Sequence, residues 1–312
     1  MEVSLASTVL PIFAVIVLGY GAVRGGFFPR EAIPHMGRFV VSYCLPALIF
    51  STVASSPIGE VLNPHYVTVY ALGSLLGFWL VYGLFRAVSG AQPLAATGSG
   101  MGVSVSNSAF VGAPVLIAVY GSLPANAFTM NLLVENVLIL PMVLILFEFA
   151  RSRNQGWAGL AAVSGVGRNL LRNPMLLALV VGLVCNLLGA RLAEPVERSI
   201  GFLVSAATGV ALFVIGGSLV GTRWGGRLGT ILGVMAGKLL LHPLLVAGLV
   251  WLAPPFDPEL QRIVILSAAM PMLSIYPVLA GRYHADSAYA AILLVTTLMS
   301  MLSLSVWLLV LY

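Results

Sequence analysis

The segment Gly98-Ser-Gly-Met-Gly-Val-Ser-Val-Ser106-Asn107-Ser108-Ala-Phe-Val-Gly112-Ala-Pro114 lies inside a long apolar run, 93–120, and is composed to break a helix there. It holds four glycines, four serines, an asparagine and a proline. Glycine lacks the side chain that holds a helix in shape, and proline removes an amide donor and clashes with the preceding turn. A second segment of this kind, Met270-Pro271-Met-Leu-Ser274-Ile-Tyr276-Pro277, carries two prolines six residues apart. Freed backbone groups cannot face hydrocarbon; in a membrane they are tolerated only where protein or a water-filled cavity satisfies them. Two such helices crossing at a bilayer midplane would offer half-helix N-termini to an anion and freed carbonyls to a cation. A proline kink is the plainer alternative for either one.

Outside these segments, the composition requires a membrane. The chain has 312 residues, 60% of them hydrophobic and 8% charged, whereas a soluble domain carries roughly 25% charged residues. So little charge cannot cover a surface in water. Apolar runs between charged or Pro/Gly-rich breaks predict an all-α integral membrane protein of ten transmembrane helices, near 4–23, 38–55, 65–85, 93–120, 124–149, 173–190, 199–221, 228–252, 262–281 and 287–311. The loops leave no room for a sizeable soluble domain. The first run, Val3 to Val23, is too long for a cleavable signal and reads as an uncleaved span. Cys44 and Cys185 sit in apolar runs and read as small packing residues, not a disulfide framework.

Basic residues set the orientation. Arg24, Arg30, Arg38, Arg86, Arg151, Arg153, Arg168, Arg172, Arg223, Arg227 and Arg282 fall on one side of the predicted spans, and only Arg191, Arg198 and Arg262 on the other. The positive-inside rule makes the first side cytoplasmic, so both termini are expected outside the cytoplasm of an inner-membrane, multi-pass protein. The net charge of +5 is spread over short loops and forms no continuous basic patch, which argues against nucleic acid.

The two halves share a register. Pro11 and Pro174 differ by 163 (174 − 11), as do Pro114 and Pro277 (277 − 114). At the same offset Gly19 matches Gly182, Ser42 matches Ser205, Phe50 matches Phe213, Ser104 matches Ser267 and Tyr120 matches Tyr283. The expected division is a first five-helix repeat over 1–150, a cytoplasmic linker over 151–172 and a second repeat over 173–312. Five is odd, so the second repeat must be inverted relative to the first, an arrangement common in secondary transporters that bind substrate where the repeats meet.

Two charges stand at membrane depth. Glu135, with Asn131 four residues earlier, lies in the fifth span; Lys238, with His242 four residues later, lies in the eighth. Such charges are costly and face a partner or a cavity. Glu135 reads as a proton or cation site and Lys238 as a counter-charge for an anion; alternatively the two pair with each other or with backbone carbonyls. No H-E-x-x-H, P-loop or G-x-S-x-G motif occurs in the sequence, which argues against an enzyme or an ATP-driven pump. The histidines have no ligand spacing, and no metal or cofactor is expected.

Together these residues carry a resemblance. Leu10-Pro-Ile-Phe through Leu18-Gly-Tyr20, Arg38-Phe-Val through Leu45-Pro-Ala-Leu-Ile-Phe50, Ser106-Asn-Ser-Ala-Phe-Val-Gly-Ala-Pro114, Asn173-Pro174, Gly216-Gly-Ser-Leu219, Lys238 with Pro243, and Ala269-Met-Pro271 appear in this order. In this the chain resembles the auxin efflux carrier family, which includes plant auxin exporters and bacterial malonate- and malate-type permeases. The resemblance implies a bile-acid symporter-like fold. In that fold spans 1, 2, 6 and 7 form a scaffold, also the candidate homodimer surface, and spans 3–5 and 8–10 form a mobile transport domain. It further implies that the broken fourth and ninth helices cross within the mobile domain, at prolines mapped to Pro114 and Pro277. The long loop of plant members is missing here. So is an acidic residue in the ninth span before Asp286, which sodium symporters of this fold use.

The resulting expectation is a carrier of small organic anions such as carboxylates, moving them by an elevator-type alternating-access mechanism. Its substrate-binding residues would be Ser104, Ser106, Asn107, Pro114, Ser274, Tyr276, Pro277 and Lys238; Asn131, Glu135 and His242 would serve coupling or structure. The expected partners are the anion and the bilayer, with proton or sodium coupling left open. The rivals are a sodium-coupled symporter for a larger amphipathic anion and, outside transport, a membrane receptor or enzyme.

Overall fold

A computed structural model describes residues 5–55, 62–152, 172–190, 192–221, 228–281, 283 and 288–312. Most of the linker expected over 151–172 lies outside them, as do Arg153, Arg168, Arg191, Arg223, Arg227, Arg282 and Asp286. The described residues are helical, with no strand among them. In chain order the helices are α1 (Leu5–Arg24), α2 (Ala32–Ala54), α3 (Pro64–Val88), α4 (Pro93–Ser104), α5 (Ser108–Tyr120) and α6 (Ala125–Arg151). They continue with α7 (Pro174–Leu187), α8 (Glu194–Ser218), α9 (Leu228–Leu252), α10 (Pro258–Ala269), α11 (Tyr276–Gly281) and α12 (Ala288–Leu311). Six of these, α2, α3, α6, α8, α9 and α12, are long and apolar enough to cross a membrane. The chain is a multi-pass membrane protein.

Helix lies where each apolar run predicts it, but the starts move. α8 begins at Glu194 rather than 199 and α10 at Pro258 rather than 262. Prolines in the first turn pre-set the helical φ, and polar caps satisfy the first amides, so helices begin in the polar flank before the apolar run does. Asp257 caps α10 by accepting from the amides of Glu259 and Leu260. Asn63 and Asn173 do the same for α3 and α7.

Prolines also shape the helix interiors. In α2, α5, α6 and α9 a wide π-type turn occupies Val40–Cys44, Ser108–Gly112, Val134–Ile139 and Gly237–Leu241. Each ends two residues before a proline, respectively Pro46, Pro114, Pro141 and Pro243. The amide just ahead of each proline (Leu45, Ala113, Leu140, His242) bonds five residues back instead of four. Widening the turn moves the carbonyl that the proline ring would strike, so the helix continues across the proline instead of stopping.

The helices pack in two groups. α1 lies along α8, and α2 lies along α7 and α8. α3 packs on α4, α9 and α10, and α9 packs on α10 and α12. Small residues allow the closest approaches in the first group. A Cβ at Gly19 or Gly216 would collide with the carbonyl oxygen of Phe213 or Ile16, so α1 and α8 meet backbone to backbone. At Gly182 a Cβ would stand 3.3 Å from the carbonyl oxygen of Phe50. Gly19 with Phe213 and Gly182 with Phe50 are thus one contact made twice, each residue exchanged for its counterpart 163 positions away.

Candidate functional site

Between α4 and α5, and between α10 and α11, the chain leaves the helical path, and the two breaks meet. The Asn107 amide donates to the Pro271 carbonyl at 2.8 Å, and the Leu273 amide donates to the Val105 carbonyl at 3.2 Å. Ser106 and Met272 thereby face each other in an antiparallel bridge. Backbone groups freed by both breaks satisfy one another inside the protein, as burial demands. Asn107 locks the junction. Its Oδ1 accepts the Phe110 amide at 3.2 Å and so caps α5, while its Nδ2 donates to Ser274 Oγ at 2.6 Å.

The crossing corrects one expectation: it lies at 105–107 and 271–273, not at Pro114 and Pro277. The resemblance implies a crossing at those two prolines, whereas the residues themselves put the breaks within Gly98–Pro114 and Met270–Pro277. The Asn107 cap restarts the helix upstream of Pro114, and the π-type turn carries it past. Pro114 is buried in α5, and Pro277 is the second residue of α11. The proline at the crossing is Pro271.

Beside the crossing runs a ladder of buried polar side chains. Tyr66, Tyr70 and Ser74 stand four residues apart on one face of α3 and are all buried. Tyr66 Oη donates to Asn131 Oδ1 at 2.8 Å, and Asn131 Nδ2 donates to Ser267 Oγ at 2.8 Å. Tyr70 Oη donates to Glu135 Oε1 at 2.6 Å, and Ser108 Oγ donates to the same oxygen at 2.5 Å. Ser74 Oγ pairs with His242 Nε2 at 3.1 Å. Lys238 Nζ donates to Ser106 Oγ at 2.6 Å and to His242 Nδ1 at 2.9 Å. An ammonium only donates, so His242 Nδ1 accepts and its proton sits on Nε2, where it is given to Ser74.

Glu135 and Lys238 do not pair directly, which corrects that alternative. The only ion pair within 4.0 Å among the described residues is the exposed Arg198–Glu194 contact. Lys238 has no exposed surface and Glu135 is 5% exposed. Two hydroxyls contact Glu135, and a hydroxyl and an imidazole contact Lys238, offsetting part of a desolvation cost of several kcal/mol per ion. Both residues sit in π-type turns, a local shape frequent at functional positions. The turn at Lys238 frees the Leu239 carbonyl, which accepts from Ser303 Oγ at 3.1 Å and Trp307 Nε1 at 3.2 Å on α12.

Among the other expected residues, Ser106, Asn107 and Ser274 are brought together at the crossing. Ser104, at the end of α4, is fully buried. Tyr276 is also buried, edge-on to Tyr289 at 5.4 Å, with its ring against Gly102 of α4. Sequence reasoning missed Tyr66, Tyr70, Ser74, Ser108 and Ser267. The first three were legible as a four-residue polar period in an otherwise apolar span.

A cavity of about 30 Å³ adjoins the ladder, lined by Ser106, Ser108, Glu135, Asn136, Met175 and Leu273 among others. Met175 belongs to α7, so this cavity lies on the seam between the two helix groups. A larger one, about 420 Å³, lies at the end of α2 among Phe50, Ser51, Ser55, Glu197 and Ile200, and touches none of the ladder residues.

The described residues form a helical membrane body in whose interior two broken helices meet. The sequence profile of the membrane transport protein family matches residues 4–158 and 160–308, and the chain belongs to that family, the auxin efflux carriers. It is 26% identical to a putative malonate transporter of Rhizobium meliloti over 94% of this chain and 91% of that protein. It is 24% identical to an uncharacterized transporter of Methanothermobacter thermautotrophicus over 96% of each chain. Similarity to auxin efflux carrier component 8 of Arabidopsis thaliana is 22% identity over 89% of each. The chain is a membrane transporter, not an enzyme.

Proposed function

We propose that this transporter carries small organic anions, malonate-like carboxylates first among them, by an elevator-type alternating-access motion. The reading rests above all on the reciprocal crossing, in which the Asn107 amide bonds Pro271 and the Leu273 amide bonds Val105. The Gly19–Phe213 and Gly182–Phe50 contacts map onto each other when residues 163 positions apart are exchanged, the offset at which the two halves match in sequence. That reciprocity supports two inverted five-helix repeats, 1–150 and 173–312, joined by the linker over 151–172, within ten spans. The packing supports α1, α2, α7 and α8 as the scaffold, the surface through which two copies would associate. The remaining helices form the moving body, which carries the crossing. The anion binds at the crossing, where Asn107 and Ser274 present polar groups beside the start of α5. Ser106, Lys238 and His242 hold that segment from behind. Both termini face away from the cytoplasm. Counterflow of labelled malonate into proteoliposomes tests the reading. Exchange above protein-free vesicles is expected, and its absence for malonate and for other mono- and dicarboxylates refutes it.

A further inference from the structure

We propose that Glu135 takes up one proton from water in the cavity beside it on each loaded crossing, so that the carrier is a proton–anion symporter. The inference rests on the transport reading above and adds the coupling ion. Both hydroxyl donors, Tyr70 and Ser108, converge on Oε1 of Glu135, and no hydrogen bond from the described residues reaches Oε2. The side chain lines the cavity of about 30 Å³, which has room for one or two waters. A carboxylate at this depth is costly without a contacting cation, and its free oxygen is where a proton relieves that cost. On uptake an O–H bond forms at Oε2 and hydronium becomes water; on the far side, before the empty body returns, that O–H bond breaks and the proton passes back to water as hydronium.

The groups facing Glu135 set what else could answer to pH. α3 brings Tyr66 and Tyr70, the crossing brings Ser106 and Ser108, and α6 itself brings Asn131 and Asn136. α9 brings Lys238 and His242, α10 brings Ser267, and α7 brings Met175. The charged side chains of α2, His35 and Arg38, lie in its first two turns. Of the charged side chains in the moving helices, two are buried in the described structure, Lys238 and Glu135, and their sum is zero (+1 − 1). A bound monoanion, such as hydrogen malonate or a monocarboxylate, adds one negative charge, and one proton on Glu135 restores neutrality for the crossing. The empty body returns neutral with Glu135 ionised. Proton and anion therefore travel together, since moving net charge through the bilayer core is unfavourable. The cavity lies on the seam between α7 and the moving helices, so sliding opens it to water.

The test uses purified full-length protein in vesicles with the membrane potential clamped at zero. One-for-one coupling accumulates hydrogen malonate, the singly ionised form of the labelled substrate, about tenfold per pH unit of gradient, acid outside, beyond the passive entry seen in protein-free vesicles. With Glu135→Gln the ratio falls to that passive level. Wild-type accumulation that ignores the pH gradient, follows sodium instead, or survives in Glu135→Gln overturns the proposal. Absence of any malonate exchange defeats the substrate reading, and an infrared measurement then decides the coupling site separately. A protonated-carboxyl band should rise on acidifying wild-type protein and be missing in Glu135→Gln. No titrating band in wild type overturns the proposal, whether or not the variant folds.

Discussion

Replacing Asn107 by alanine removes two interactions at once, and their separate sizes can be worked out. Its Oδ1 accepts the Phe110 amide and caps α5, and its Nδ2 holds Ser274 across the crossing. Loss of an N-cap costs ~1 kcal/mol, and a side-chain hydrogen bond of this kind contributes ~1 kcal/mol. Asn107→Ala should therefore destabilise by about 2 kcal/mol and Ser274→Ala by about 1 kcal/mol. The pair should cost about 2 rather than 3 kcal/mol, because the shared bond is lost only once; the coupling is then ~1 kcal/mol. Denaturant titration of the four proteins in detergent measures the cycle. Malonate exchange measures the consequence, and a crossing loosened by 1.4 kcal/mol corresponds to about a tenfold loss. Additive destabilisation, with no coupling between the two sites, would refute the claim that Asn107 locks the two breaks together. So would wild-type exchange by a folded Asn107→Ala protein.

The glycines of α8 offer a matched pair. Gly216→Val should collapse the folded yield, because its Cβ collides with the Ile16 carbonyl, whereas Gly209→Ala, with nothing within 4 Å, should be neutral or stabilising by up to ~1 kcal/mol; size-exclusion yield and melting temperature read both. Trp307→Phe keeps the ring but drops the bond to the Leu239 carbonyl and should cost ~0.6 kcal/mol, with little further loss on adding Ser303→Ala because both serve one acceptor; the unfolding midpoint reports it. Tyr312→Cys, with Cys44 and Cys185 replaced, should react with an impermeant reagent from outside intact cells; reaction only after permeabilisation would reverse the orientation.

Which parts of this molecule could be read from its sequence depends on how far the causes lie apart along the chain. Each apolar run is a local signal, and helix appears at each, with the starts of α2, α8 and α10 misjudged; Pro195 and the Asp257–Pro258 cap extend the last two into polar flanks. Both breaks were legible, since glycine and proline act on their own neighbours. Their meeting point was not: it is set by amides of one break finding carbonyls of the other, some 166 residues away. The same holds for Glu135. Its depth and its spacing from Asn131 were visible, but its partners come from α3 and α5, and no periodicity in α6 names Tyr70 or Ser108.

The prolines connect the two scales. Ser108 lies six residues before Pro114, Glu135 six before Pro141, and Lys238 five before Pro243. In each case the proline forces the preceding turn open, and the opened turn is where the polar residue sits. A regular turn advances 100° per residue, so one extra residue in a turn re-aims every side chain on its N-terminal side relative to those beyond the proline. Helices α5, α6 and α9 thereby turn Ser108, Glu135 and Lys238 inward, while their outer faces keep lipid-compatible residues such as Val137, Leu138 and Leu240 exposed. A polar residue five or six positions before an intramembrane proline therefore predicts an inward-facing group carried on a widened turn. The reading is local to one span, and here it recovers three of the side chains around which the buried network is built.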